Sequence, residues 1–298
     1  MKLSRDNAHP RDARIEFEES SHSYYLDDRS YVFPQTVSGV AARHFSKFDP
    51  DGAFKRFEAW RSDKNGKYFK ALSFFDSISL PKESQIVAIK ASWALNGSRQ
   101  AAAGTAVHRA VELYLNDEAF DAPVFQPKTG EEPLFGLESQ DEKALREFIA
   151  SGCRGPSPKA SPMPAVGDCA EMKLFFEWLS DNADLTPYRT EWSVYSEPLE
   201  LAGQIDAVFT RETSGEKEFI LIDWKRVKDL DVENRFGRFG SGPFSKVPDT
   251  KFGHYSVQLS LYRMILHRHY GIKVSEMRLV QLHPDLPHYI QTNVTPIC

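Results

Sequence analysis

Three strand-like segments follow one another at residues 190–198, 199–210 and 217–227, with no helical stretch between them. The turn signal Arg211-Glu-Thr-Ser-Gly-Glu-Lys-Glu218 separates the second from the third. A helical pattern at 170–183 precedes this meander. A second one, 256–271, follows it and ends at Gly271, and a last strand-like run occupies 277–285. The order helix, three-strand meander, helix, strand implies a mixed central sheet flanked by helices, an α/β or α+β core. Upstream, residues 15–37 alternate and carry Tyr and Phe around the turn Asp27-Asp-Arg-Ser30, which reads as a β-hairpin. Residues 38–116 turn helical, with Asp49-Pro50 placed as an N-cap followed by proline at the first helical position. Residues 117–170 are broken by Pro and Gly, and a short helix at 139–150 interrupts them. No internal repeat is visible.

A chain of 298 residues can bury a full core, and 41% hydrophobic with 27% charged residues is the balance of an ordinary globular protein. No apolar run approaches the roughly 20 residues that span a bilayer, so no membrane partner is expected. The start, Met1 to Arg14, lacks the apolar stretch of a secretory signal and fits an organellar transit peptide poorly. Cys153, Cys169 and Cys298 are too few and too scattered for a disulfide framework or a four-thiolate iron–sulfur cluster. An intracellular, reducing compartment is expected. The net charge of −5 argues against a protein that coats nucleic acid nonspecifically, but not against a local basic channel.

The chemistry collects at the end of the third strand. Period-two alternation places Phe219, Leu221, Asp223 and Lys225 on one face, so two charged groups continue an apolar row. Buried unpaired charges are costly, so such groups are paired, solvated or bound to metal. Gln204, Asp206 and Val208 share a face of the preceding strand, and an antiparallel hairpin would bring Asp206 near Asp223 at the same sheet edge. Two carboxylates held together repel, and a hard divalent cation relieves the repulsion. Mg²⁺ or Mn²⁺ there would lower the pKa of a bound water and screen a phosphoryl transition state. Lys225 could orient that water, deprotonate it or stabilise developing negative charge.

Gly104-Thr-Ala-Val-His108, Glu191, Gly203-Gln-Ile-Asp206, Asp223-Trp-Lys225 and Gln258-Leu-Ser-Leu-Tyr262 stand in the order seen in RecB-like PD-(D/E)XK nucleases. The chain resembles that group over about residues 100–285. Its opening, from His22 through Val40, is similar to the lead-in of some viral, phage and mitochondrial-maintenance exonucleases of the group. The resemblance implies a restriction-endonuclease-like α/β fold and a Mg²⁺- or Mn²⁺-dependent deoxyribonuclease. It makes His108, Asp206, Asp223 and the carbonyl of Trp224 metal ligands, and Lys225 the catalytic lysine. Glu191 becomes an upstream acid in a supporting role, and Gln258 and Tyr262 the helix pair that touches the DNA backbone and orients the lysine. The Asp-x-Lys form is common in RecB-like members, and the iron–sulfur cluster of some relatives is absent. The expected organisation is a hairpin and helical region over 1–100 packed on a nuclease core over 101–298, with a Pro/Gly-rich insertion near 151–168.

Two stretches mix cations with aromatics. Residues 54–70 are either a grip on single strands or an amphipathic segment whose rings face the core. Residues 226–251, with Arg226, Arg235 and Arg238 among glycines and phenylalanines, are either a DNA-clamping lid or a plain surface loop. The histidines 254, 267 and 269 fit no zinc pattern. The expected activity is exonucleolytic, with a preference for single-stranded DNA. The alternatives are a structure- or sequence-directed endonuclease, a nuclease acting on RNA, and a non-catalytic nucleic-acid-binding module that keeps the fold.

Overall fold

The structure, a computed structural model, describes residues 1–119, 135, 137, 139–160 and 169–297. Its N-terminal elements are α1 (Lys2–Asp6), β1 (Ile15–Glu18), β2 (Ser23–Leu26), β3 (Tyr31–Val32), β4 (Gln35–Thr36) and α2 (Val37–Arg43). Helices α3 (Pro50–Ala53), α4 (Phe57–Ser62), α5 (Phe69–Ser77), α6 (Lys82–Leu115) and α7 (Ser139–Ala150) follow. The chain then runs through α8 (Ala170–Asp181), β5 (Thr186–Ser196), β6 (Leu201–Thr213), β7 (Glu216–Lys225), α9 (Lys251–His269), β8 (Val274–Gln281) and β9 (Ile290–Asn293). Among the described residues no helix is long and apolar enough to cross a membrane.

Two compact units emerge. One comprises 1–47, 107–121 and 169–298; the other comprises 48–106 and 122–168. The expected organisation sets its break near residue 100, between a hairpin and helical region and the nuclease core. Residues 1–47 are tied into the first unit by β4, which pairs in parallel with β6 at Gln35↔Leu201. Asp12 ties them further by accepting hydrogen bonds from Arg189 and Trp192 of β5. The expected hairpin at 15–37 is a three-stranded meander, β1-β2-β3, because Asp27, Asp28 and Arg29 all adopt positive φ and turn the chain a second time. Of the Pro/Gly-rich insertion near 151–168, residues 161–168 lie outside the described residues.

The main sheet of the first unit is mixed, as expected. β5, β6 and β7 form an antiparallel meander, β8 returns parallel to β7 after α9, and β9 is added antiparallel. Ser214 and Gly215, at φ 54° and 83°, make the two-residue turn between β6 and β7. Positive φ at both central residues is what a type I′ hairpin requires. The sixteen residues between Asp206 and Asp223 are therefore two long strand arms around a tight turn.

The two faces of the sheet bury different aromatic sets. Below β7, Trp224 meets Trp178 and Phe175 of α8 with ring centroids 4.9 and 5.4 Å apart. On the opposite face Val208 and Leu221 pack with Leu259, Tyr262, Ile265 and Leu266 of α9. Tyr24, Leu26 and Phe33 from the N-terminal meander join that second cluster. Close approach of α9 requires Gly203: a Cβ there would stand 2.8 Å from the Tyr262 ring and 2.9 Å from Val37. Gly203→Ala is expected to destabilise the protein by about 1–3 kcal/mol, the usual range for overpacking. Equilibrium unfolding in urea measures this, and an unchanged midpoint would contradict the packing argument.

The second unit is helical. Phe57, Leu72, Phe75, Ile89, Leu95, Leu145 and Ile149 form its core. Arg99 donates two hydrogen bonds of 2.9 Å to buried Asp141. The rings of 54–70 turn inward. Phe57 is buried, while Phe54, Trp60 and Tyr68 gather on Trp93, whose Nε1 donates to Tyr68 Oη at 2.9 Å. Lys55, Arg56, Lys64 and Lys67 remain exposed. Core-facing packing is thus the first duty of these aromatics.

Candidate metal and catalytic site

The β6–β7 ladder runs from Thr213↔Glu216 to Ala207↔Ile222, and its next step places Asp206 opposite Asp223. There the main-chain pairing gives way. The Trp224 N–H donates to Asp206 Oδ2 at 2.9 Å instead of to a backbone carbonyl. On this side β6 is bound by β4 at Leu201–Ala202 and by β7 from Ala207 on, so the two carboxylates sit where β6 changes partner. The site spans the end of β7, the middle of β6 and the middle of the edge strand β5, which carries Glu191.

His108 comes from the last turns of α6. Its Nε2 lies 2.9 Å from the Trp224 carbonyl, which can only accept, so that nitrogen carries the proton. Nδ1 faces the acids, 3.6 Å from Asp206 Oδ2 and 3.9 Å from Glu191 Oε1. One donor atom each from His108, Glu191 and Asp206 falls within 4.8 Å of the others. The Trp224 carbonyl, which the family resemblance makes a metal ligand, here accepts from His108 and so sets the direction of that imidazole.

Glu191 reaches this group through an unusual backbone. It sits inside β5 opposite Asp206 yet has φ 43°, in the left-handed region, and Gln204 Nε2 donates to its carbonyl at 3.1 Å. A non-glycine residue held there costs of the order of 1–3 kcal/mol, and such strain concentrates at functional sites. Burial, with Asp206 and Glu112 nearby, pushes the Glu191 carboxyl well above its ordinary range. Glu112 stands four residues after His108 on the same helix face, a spacing that could have marked it in the sequence.

Asp223 is 2% exposed. Its Oδ1 accepts from Gln258 Nε2 at 3.2 Å and its Oδ2 lies 2.7 Å from Lys225 Nζ. Burial pushes its carboxyl up, to about 7, against the pull of Lys225. Lys225 Nζ also lies 3.9 Å from Asp206 Oδ2 and 4.8 Å from the centre of the Tyr255 ring. Burial opposes the lysine's charge, but Asp223 and Asp206 together outweigh it and hold the ammonium above its usual pKa. Tyr255 was not singled out from the sequence; its position one helical turn before Gln258 is the signal that could have found it.

Compared with known families, residues 90–294, about two thirds of the chain, match the PD-(D/E)XK nuclease superfamily. The chain belongs to the PD-(D/E)XK nuclease superfamily. No curated protein matches it.

The donor chemistry fits the divalent ion that PD-(D/E)XK nucleases use. Two carboxylates and an imidazole are hard and borderline donors suited to a divalent cation, and Glu191, raised first by burial and then by the neighbouring acids, is a carboxyl that a cation would stabilise in its ionised form. Not every expected residue joins this group. Arg226 turns into the interior, with a side chain 9% exposed and its Nε 2.7 Å from buried Glu171. It anchors the end of β7 to α8 rather than offering a surface to DNA. Tyr262 is 4% exposed and packs against Gly203, and Gln258 is spent on Asp223. Arg235 and Arg238 are exposed in the connection between β7 and α9.

Proposed function

We propose that this protein is a Mg²⁺- or Mn²⁺-dependent deoxyribonuclease that hydrolyses phosphodiester bonds from strand ends, with a preference for single-stranded DNA. The convergence of His108 from α6 with Glu191, Asp206, Asp223 and Lys225 on three neighbouring strands carries the reading. His108, Glu191 and Asp206 would hold the cation, and Asp223 on the neighbouring strand would add its carboxylate. When bound, the ion would lower the pKa of a coordinated water and screen phosphoryl charge.

The chain's own groups divide the remaining work. Lys225, held protonated between two carboxylates, is suited to orient a water or to stabilise a developing oxyanion rather than to abstract a proton. Gln258 keeps Asp223 turned toward Lys225, and Tyr255 covers the far side of the ammonium, limiting it to the direction of the acids. Trp224 keeps His108 facing them through its carbonyl. Arg235 and Arg238 would meet the phosphate backbone. Action from strand ends is supported by the resemblance of the opening segment and motif order to exonucleases.

The test uses purified protein with Mg²⁺ or Mn²⁺ and end-labelled single-stranded, double-stranded and covalently closed circular DNA, beside a matched RNA oligonucleotide. Linear single strands should be degraded progressively while closed circles persist. Circles cut as fast as linear DNA would make the enzyme an endonuclease, and equal or faster loss of the RNA would remove the DNA assignment. Folded protein that binds DNA and cuts none of these substrates would leave the non-catalytic module.

A further inference from the structure

Residues 234–247 hold three cations, Arg235, Arg238 and Lys246, and no acid, in a chain of net charge −5. The same segment displays Phe236, the most exposed large hydrophobic side chain among the described residues at 72%, and Phe239 at 53%. Neither ring is exposed because its backbone is loose. Asn234 Oδ1 accepts from the N–H of Phe236 at 2.8 Å and of Arg238 at 3.3 Å, and its Nδ2 donates to the Asp249 carbonyl. Gly237 N–H donates to the Asn234 carbonyl at 3.0 Å, Asp249 N–H to the Arg238 carbonyl at 2.9 Å, and Gly240 N–H to the Val247 carbonyl at 2.9 Å. Ser241 N–H fastens the segment to the His44 carbonyl at 2.7 Å. A tied turn that holds apolar rings in water forgoes the free energy of burying them, so the exposure needs a partner to explain it.

The position and charge of the segment identify the partner. It follows β7, which ends at Lys225, and precedes α9, which carries Tyr255 and Gln258, so both ends lead into the catalytic group. The run Arg235-Phe-Gly-Arg-Phe239 alternates cations with rings. Such alternation matches a polymer in which phosphates alternate with flat bases. The Arg238 guanidinium carbon lies 5.8 Å from the centre of the Phe236 ring and steadies it. Among the described residues neither Arg235 nor Arg238 has a carboxylate partner, which leaves both for phosphate.

We propose that Phe236 and Phe239 form a stacking platform for unpaired bases of single-stranded DNA, whose backbone is held by Arg235, Arg238 and Lys246. This rests on the nuclease reading and sharpens it: a duplex keeps its bases stacked on one another and offers the rings no face, so the platform selects unpaired ends.

The test measures binding in EDTA, where no turnover intervenes. Wild type and Phe236→Ala/Phe239→Ala are titrated against labelled oligothymidylate and against a blunt duplex. The double variant should bind the oligothymidylate at least about tenfold more weakly, because stacking contributes about fivefold or more for each of the two rings. Its affinity for the duplex should change by less than about twofold. Arg235→Ser/Arg238→Ser should weaken both and lower the salt slope for the single strand by about one to two. A Phe236→Tyr/Phe239→Tyr variant, which keeps both rings, should restore single-strand binding whatever happens to folding in the alanine variant.

Undiminished oligothymidylate binding by the alanine variant overturns the platform and leaves the rings to a protein partner. Equal losses on single strand and duplex overturn it too, as does failure of the tyrosine variant to rescue. Cleavage by wild type with Mn²⁺ keeps the two readings apart. Cleavage with unaffected binding in the alanine variant removes only the platform. Selective loss of binding without cleavage by wild type removes the nuclease reading and keeps the platform.

Discussion

Asp206→Asn should abolish metal-dependent cleavage and, with it, the thermal stabilisation that Mg²⁺ or Mn²⁺ confers, whereas Lys225→Met should lose cleavage and keep the stabilisation. Asp206 faces His108 Nδ1 and accepts the Trp224 N–H through the same oxygen. An asparagine can still accept that N–H with its amide oxygen, so the strand end survives while the charge and one hard donor are lost. Lys225 touches the acids but is not itself a donor for a cation. Removing it leaves the group of His108, Glu191 and Asp206 intact and takes away the only ammonium beside Asp223 among the described residues. Loss of one preorganised electrostatic stabiliser typically costs about a hundred- to a thousandfold in turnover. Single-turnover cleavage together with melting curves, with and without Mn²⁺, separates the two variants. Turnover by Lys225→Met within tenfold of wild type would remove Lys225 from the chemistry. Retained metal stabilisation in Asp206→Asn would remove Asp206 from the ligands.

The second expectation concerns pH. Burial holds the Asp223 carboxyl near 7 in the fold, against 3.8 for an ordinary aspartate, and Glu191 is raised in the same direction. Below the ordinary value both folded and unfolded chains keep these protons, and the shift is without effect. As pH rises from about 4 to about 7 the unfolded chain releases the Asp223 proton first, so the native state of the metal-free protein loses stability over that window, and Glu191 adds a loss of the same sign. Above that window Asp223 is ionised in both states and its part of the loss is complete. Metal binding requires the ionised carboxyls, so affinity should climb across the same window and then level off. At metal concentrations about a hundredfold above the dissociation constant the gain is of order 2.7 kcal/mol, or about 5–10 °C in melting temperature for a protein of this size. The increment from Mn²⁺ should be small at pH 5 and near this value at pH 8. Equal increments at the two pH values would show that protonation of Asp223 and Glu191 does not compete with the ion.

Much of the architecture was legible in the chain itself. Period-two patterning marked β5, β6 and β7, and Ser-Gly between charged flanks marked the β6–β7 turn. From these alone it followed that Asp206 and Asp223 are cross-strand neighbours and that Asp223 and Lys225 share a face. The helix between β7 and β8 followed from its own pattern and its stop at Gly271, while the role of Gln258 came only from the family resemblance. These features depend on interactions over a few residues, where the backbone has a small set of solutions and side-chain direction is set by period.

What only the tertiary structure decided depends on how deeply a face is buried and what lies across from it. Arg226 reads as a surface cation next to a catalytic strand, yet α8 brings buried Glu171 to it. Tyr262 reads as a DNA contact, yet the missing side chain of Gly203 lets α9 close over its ring. The Trp224 carbonyl reads as a metal ligand by resemblance, and only packing shows that His108 of α6 also meets it, with the other imidazole nitrogen toward Asp206 and Glu191. The left-handed turn of the backbone at Glu191 carries no local signature at all, because a non-glycine residue holds that conformation only when surrounding packing compels it. Local periodicity therefore determined the strands, the hairpin and the Asp206–Asp223 pair, while non-local packing and the desolvation it imposes decided which polar groups meet a metal, which meet each other and which never reach the surface.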